Sequence, residues 1–167
     1  MNYIITHRAR YDAHGGMENY AKAYCDAIRT KAERVTFITL DKRRKYINGV
    51  LEEERNYWLK PSSVILATIL VNFRALLVLR VTCHVAFGHS GYISLLFRKN
   101  KVDVHYLGFE FLFNNRKRTG FRGIVKRCEI LLFLWASKRA RHLVCLTRKQ
   151  KEILSRSFSI SNERLFV

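Results

Sequence analysis

Short apolar segments rich in β-branched and aromatic residues alternate with longer amphipathic segments along nearly the whole chain. The predicted strands cover residues 3–6, 34–40, 83–87, 102–107 and 143–147. The predicted helices cover residues 16–31, 61–79, 92–98, 121–140 and 148–158. Strands that alternate with helices form parallel sheets with right-handed crossovers. The sequence therefore predicts an α/β fold, with a parallel sheet covered by helices on both faces, in a single domain over residues 1–167.

Two segments break this alternation. The basic stretch 41–45 (Asp-Lys-Arg-Arg-Lys) is predicted to form a turn, and the acidic run 52–54 a solvated face. The apolar stretch 64–81 is interrupted by Asn72, Arg74 and Arg80. These interruptions favour a buried or membrane-surface helix over a membrane span.

The four cysteines are widely spaced, and no Cys-x-x-Cys pair occurs. We interpret them as reduced core residues of a cytosolic protein, not as disulfides or zinc ligands. No set of His, Cys and Asp has metal-ligand spacing, so no bound metal is expected.

The charge is strongly positive, with 31 Lys and Arg against 13 Asp and Glu and a net charge of +18. A field of this sign implies an anionic partner. Three classes fit: nucleic acid, an anionic membrane surface and phosphorylated substrates.

The first predicted strand leads through a polar loop to Gly15, Gly16 and a helix. The free N–H groups and the dipole of a helix N-terminus attract anions, and glycine lets a phosphate approach the backbone. A tight turn without a ligand is the alternative. The dinucleotide-binding Gly-x-Gly-x-x-Gly pattern is absent.

Four further features occur in a fixed order along the chain. They are the stretches 15–18 (Gly-Gly-Met-Glu), 86–92 (Ala-Phe-Gly-His-Ser-Gly-Tyr), 107–110 (Leu-Gly-Phe-Glu), and 144–147 (Val-Cys-Leu-Thr) with the helix and short strand after it. In this order they resemble the N-terminal half of the GT-B glycosyltransferases, in particular the large retaining family 4. The resemblance covers essentially all 167 residues. It implies a Rossmann-like, acceptor-side GT-B N-terminal domain whose C-terminal donor-binding domain is absent.

The resemblance also implies roles for individual residues. His89 and Glu110 are the candidate catalytic residues, and Gly15 and Gly16 the candidate contacts of the donor diphosphate. The expected acceptor-binding residues are Asp12, His14 and Gly108. The nucleotide-sugar is a substrate, so no separate cofactor is expected.

Each role has an alternative. His89 could cap the next helix, Glu110 could pair with Arg116 or Arg118, and Asp12 and His14 could lie in a solvated loop. The chain also departs from the family at Leu107, where relatives have a histidine. That histidine's role is then absent here, or taken by His105 or His89.

A basic segment marks a candidate membrane surface. Arg118, Arg122 and Lys126 recur every four residues, and apolar residues such as Phe121 and Trp135 lie on another face of the predicted helix. Basic amphipathic helices of this type lie on anionic headgroups. A solvated helix in a basic protein is the alternative.

These observations predict the acceptor-binding half of a glycosyltransferase that acts in surface-polysaccharide or glycolipid synthesis. It would use a nucleotide-sugar and a glycan or lipid-linked acceptor at the inner face of the cytoplasmic membrane, and would be inactive without a donor-binding domain or a separate donor-binding chain. Two alternatives remain, a nucleic-acid-binding protein and a non-catalytic membrane-surface adaptor. The sequence has no RNP motif, zinc finger or helix-turn-helix signature, which argues against the first.

Overall fold

The computed structural model describes residues 1–7, 9–10, 14–55, 64–76, 83–98, 101–106 and 121–167. Within these residues, eight strands form one sheet in the order β4-β3-β2-β1-β5-β6-β7-β8. The strands are β1 (Asn2–Thr6), β2 (Arg34–Ile38), β3 (Lys42–Ile47), β4 (Val50–Arg55), β5 (Cys83–Phe87), β6 (Val102–Tyr106), β7 (His142–Cys145) and β8 (Leu165–Phe166). Neighbouring strands are parallel along the order β2-β1-β5-β6-β7-β8. Strand β3 is antiparallel to both of its neighbours, β2 and β4. The predicted α/β fold with a mostly parallel sheet is confirmed.

The described helices connect these strands. They are α1 (Gly16–Arg29), α2 (Val64–Leu76), α3 (Ser94–Arg98), α4 (Phe121–Arg139) and α5 (Arg148–Phe158). Helix α5 begins with a capping box, in which the Thr147 hydroxyl accepts from the Gln150 backbone N–H and the Gln150 side chain accepts from the Thr147 N–H. The Arg164 guanidinium donates to the carbonyls of Ser137 and Lys138 at 2.8 and 2.9 Å, and so satisfies the end of α4.

Helices cover both faces of the sheet, as predicted. On one face, α1 packs over β1, β2 and β5, and this core includes Ile5, Cys25 and Phe87. On the other face, α2 contributes Val71 to a cluster with Ile4 and Ile38. Helices α3, α4 and α5 share the second face in a larger core. That core includes Ala86, Leu95, Val104, Phe133, Ala136, Leu143 and Leu154.

The predicted basic turn at 41–45 is wrong, because most of it belongs to strand β3. This strand turns through Asn48 and Gly49, both with positive φ (49° and 83°), into the acidic edge strand β4. An Asn-Gly pair with positive φ at both residues is the preferred two-residue hairpin turn.

The acidic run 52–54 is exposed, as predicted, and it also pairs with the basic strand β3. Glu53 forms ion pairs with Lys42 and Arg44 at 2.9 and 2.7 Å, and Glu54 with Arg43 and Lys45 at 3.2 and 3.0 Å. Cross-strand charge pairs of this kind fix the register of a hairpin, and charged side chains on an edge strand discourage pairing with other chains.

The interpretation of all four cysteines as core residues is wrong for one of them. All four are free thiols, and Cys25, Cys83 and Cys145 are buried, but Cys128 is exposed on α4.

Candidate functional site

The strand order reverses beside β1. The chain passes from β1 to β2 on one side and later returns to β5 on the other. At such a switch point the connections leave the carboxyl ends of adjacent strands in opposite directions and open a crevice, which is where ligands bind in doubly wound sheets. By this topology, the crevice of the present sheet is expected between the carboxyl ends of β1 and β5.

The N-terminus of α1 forms one side of this crevice. Gly15 is the N-cap residue in an extended conformation (φ −178°), without a side-chain cap, and its carbonyl accepts from the Asn19 N–H at 3.0 Å. At Gly16, no described atom lies within 4 Å of where a Cβ would be, so its outer side is open. The two glycines therefore present a helix N-terminus to the crevice, as an anion site requires.

The Glu18 carboxylate also lies at this helix end. A Cβ on Gly15 would collide with Glu18 Oε2, so the carboxylate folds back over the glycine. A carboxylate in the first turn interacts favourably with the helix dipole. An anion at this helix end would therefore compete with the Glu18 carboxylate.

The turn after β5 forms the other side. Gly88 has a positive φ of 60°, and its N–H donates to the His105 carbonyl at 2.9 Å. A Cβ on Gly88 would lie 3.9 Å from Met17 Sδ in the first turn of α1. The structure thus brings together two of the sequence-predicted segments, Gly15–Gly16 and the turn containing His89.

His89 itself is buried and its side chain is held inside the domain. The Tyr106 hydroxyl lies 2.8 Å from His89 Nε2, and the rings of His89 and Tyr92 pack edge to face at 5.1 Å. The His89 carbonyl accepts from Asn72 Nδ2 of α2 at 3.1 Å. His89 is therefore fixed from several sides, and in this geometry it can position the turn and exchange a proton with Tyr106.

A series of buried hydrogen bonds connects the strands next to this site, and sequence analysis missed it. The Ser90 hydroxyl donates to the Thr6 carbonyl at 2.8 Å and lies 2.6 Å from the Phe87 carbonyl. Thr6 Oγ1 lies 3.0 Å from His84 Nε2. These hydrogen bonds connect the end of β1 to β5 and to the turn that follows it. Their only sequence signal is the presence of polar residues in and just after apolar strands.

His105 and His7 lie on the α1 side of the sheet. The His105 ring packs against Tyr24 and Phe87, at centroid distances of 4.8 and 5.0 Å, and burial lowers its pKa to about 4. His105 is thus a neutral core residue. His7 stacks on Phe87 at 6.0 Å, and its Nδ1 accepts from the Ala9 N–H at 2.8 Å.

Of the remaining sequence-predicted residues, only His14 has a described side chain. His14 is exposed directly before Gly15. Asp12, Gly108, Glu110 and Arg118 lie outside the described residues, as do the side chains of Arg122 and Lys126 within α4.

Two wider properties bear on the candidate functions. Across the described parts of the chain, no group of three or more His, Cys, Asp and Glu side chains could hold a metal ion. Among the helices described, none combines the length and apolar character needed to cross a bilayer.

Similarity to known proteins adds no further identification. No protein-family model matches the chain, and no curated protein is significantly similar to it.

Proposed function

We propose that this chain is the acceptor-binding half of a GT-B glycosyltransferase that uses a nucleotide-sugar donor. One observation carries the proposal: the glycine-rich start of α1 and the Gly88 turn meet at the switch point of a mostly parallel sheet. The order of the loop motifs along the sequence supports the same assignment. The crevice has an open helix N-terminus at Gly16, suited to the charge that develops on a leaving diphosphate.

In this proposal the chain's residues position groups rather than break bonds. The first-turn N–H groups of α1 would hold one phosphate edge, after Glu18 has moved away from Gly15. His89, held by Tyr106, would fix the turn that faces the acceptor. Transfer itself would need a donor-binding domain from another segment or another chain, so the described domain alone would bind ligands without turnover.

We further propose that the protein works at the inner, cytoplasmic face of a membrane, on a glycan or lipid-linked acceptor. Its support is the net charge of +18, which complements anionic headgroups. Synthesis of a surface polysaccharide or a glycolipid fits this position.

Nuclear magnetic resonance titration with UDP and with GDP tests the site. We expect the amide signals of Gly15, Gly16 and the 88–91 turn to shift with added nucleotide. Gly16→Asp places a negative charge at the open position and should abolish these shifts. Ser161→Asp adds the same charge in the exposed connection before β8 and is the matched control.

Glu18→Gln gives a second test, because it removes the competing carboxylate and should strengthen binding by about three- to tenfold. Shifts that are absent in the native protein, or unchanged in Gly16→Asp, would contradict the proposed site. Absence of nucleotide binding together with vesicle binding would favour the adaptor.

The net charge also favours a second candidate, a nucleic-acid-binding protein. Binding through phosphate contacts alone falls steeply between about 50 and 200 mM salt. Submicromolar, salt-sensitive binding to RNA or duplex DNA, without nucleotide shifts at Gly16, would support this candidate instead.

A further inference from the structure

Helices α2, α3 and α4 pack on the same face of the sheet, and each also carries large apolar side chains that are exposed. We call this set the outer helix surface. It consists of Leu66, Ile69 and Phe73 on α2, Leu96 and Phe97 on α3, and Ile124, Leu131 and Leu132 on α4.

On α2 the exposed residues form a stripe directed away from the sheet. Leu66, Ile69 and Phe73 are spaced by three and four residues, so they share one side of the helix. Val71 and Ala75 lie on the opposite side and are fully buried. Helix α2 is therefore apolar on both its buried and its exposed side. A typical surface helix has polar residues on the side that faces water.

Helix α4 repeats this arrangement. Ile124 and Leu131 are 61% and 65% exposed, with the exposed Cys128 between them on the same side. Phe133 and Ala136 face the sheet and are fully buried. Between the two long helices, Phe97 of α3 is 73% exposed.

The charged residues of these three helices are almost all basic. The sequences of α2, α3 and α4 contain one acidic residue, Glu129. Their basic residues are Arg74, Arg98, Arg122, Lys126, Arg127, Lys138 and Arg139. Of these, Arg127, Lys138 and Arg139 are exposed near the apolar stripe of α4, and the Arg139 guanidinium lies 5.3 Å from the centre of the Trp135 ring.

This charge pattern distinguishes between the possible occupants. A second copy would bring one +18 chain against another, with basic residues facing basic residues. An anionic bilayer instead offers negative headgroups to the basic residues and acyl chains to the apolar ones.

We infer that the outer helix surface docks on an anionic lipid bilayer, with Phe73, Phe97 and Leu131 inserted among the headgroups. This inference rests on the proposed membrane location and adds the surface and the orientation. The contact extends over three helices, and the sheet lies above the helices with its carboxyl edge facing sideways.

Cys128 provides a direct probe, because it lies on this surface and the other three cysteines are buried. A polarity-sensitive thiol dye on Cys128 would be followed during titration with vesicles of phosphatidylcholine and phosphatidylglycerol. We expect a blue shift with these vesicles and none with phosphatidylcholine alone. The shift should persist at a salt concentration that releases purely electrostatic contacts.

Neutral substitutions then separate insertion from charge attraction. Leu131→Gln, or Phe97→Gln, should weaken vesicle binding by about tenfold, since each removes one inserted apolar side chain. Leu51→Gln, at an exposed leucine on β4, is the matched control and should leave binding unchanged.

The outcomes are distinct. Vesicle binding with no dye shift and no effect of Leu131→Gln would overturn the outer helix surface but leave the proposed membrane location intact. Absence of binding to anionic vesicles would overturn both, without bearing on the nucleotide site at Gly16. A dye shift that rises with protein concentration in the absence of lipid would assign the surface to a second copy.

Discussion

Burial of His105 among aromatic rings keeps its imidazole neutral. The ring lies against Tyr20, Tyr24 and Phe87, and desolvation lowers its pKa to about 4, with Asp103 acting in the opposite direction. In the unfolded chain the pKa returns to about 6.5. The unfolded state therefore binds the proton more strongly than the folded state between these two values.

The consequence is a loss of stability in mild acid. The contribution of the neutral His105 to the free energy of unfolding is complete above about pH 6.5 and decreases as the pH falls towards 4. At pH 5 the free energy of unfolding should be lower by about 2 kcal/mol from this residue. Urea unfolding at pH 7.5 and pH 5 measures the difference. His105→Phe should reduce it, whereas His14→Gln, at an exposed loop position, should not.

At the level of residues, the sequence predicted where candidate site residues lie in the fold better than which side chains contact them. Gly15, Gly16 and His89 lie at the carboxyl edge of the sheet, where the predicted alternation of strands and helices places the loops that follow the strands. Neither the contact of Glu18 with Gly15 nor that of Tyr106 with His89 could be predicted, because both depend on side-chain positions reached only in the folded domain. Their proposed roles remain predictions.

The elements followed from local pattern wherever apolar periodicity was strong. Strand β5 and helix α5 have the predicted bounds, and α1 and α4 end within two residues of theirs. The exceptions are the hairpin strands β3 and β4, which were not predicted, and the Lys-Arg-Arg-Lys part of β3 has little strand propensity of its own. Strand β3 pairs with β2 on one side and with the oppositely charged β4 on the other, and the Asn48–Gly49 turn was the overlooked signal of this hairpin.

The turn from β5 into α3 depends on a glycine for a steric reason. A Cβ on Gly91 would collide with the Cβ of Ala86, while the equivalent position at Gly16 is open. Gly91→Ala should therefore lower the free energy of unfolding by about 1–3 kcal/mol. Gly16→Ala, also a glycine-to-alanine change, should be neutral or slightly stabilising. Thermal unfolding of the two variants side by side checks this, and equal losses would contradict it.

At the scale of the whole molecule, thiol reactivity reports on the fold. Burial raises the pKa of Cys25 and Cys83 to about 12 and that of Cys145 to about 11, so these thiols are not ionised at neutral pH. Native protein titrated with a chromogenic disulfide reagent should release one equivalent, from Cys128. In denaturant it should release four. The variant Cys128→Ser should release none before unfolding, and a second fast thiol would contradict the packing described above.

The helix layer beneath the sheet would limit which acceptors the proposed site can reach. Helices α2, α3 and α4 separate the sheet from the outer helix surface, and one helix with its side chains is about 10 Å across. With that surface on a bilayer, the crevice at Gly16 and Gly88 stands roughly one helix diameter above the headgroups. A hydroxyl borne directly on a membrane lipid would not reach it. In the proposed membrane orientation, the helix layer would therefore select acceptors whose reactive hydroxyl is raised on a phosphate or sugar spacer.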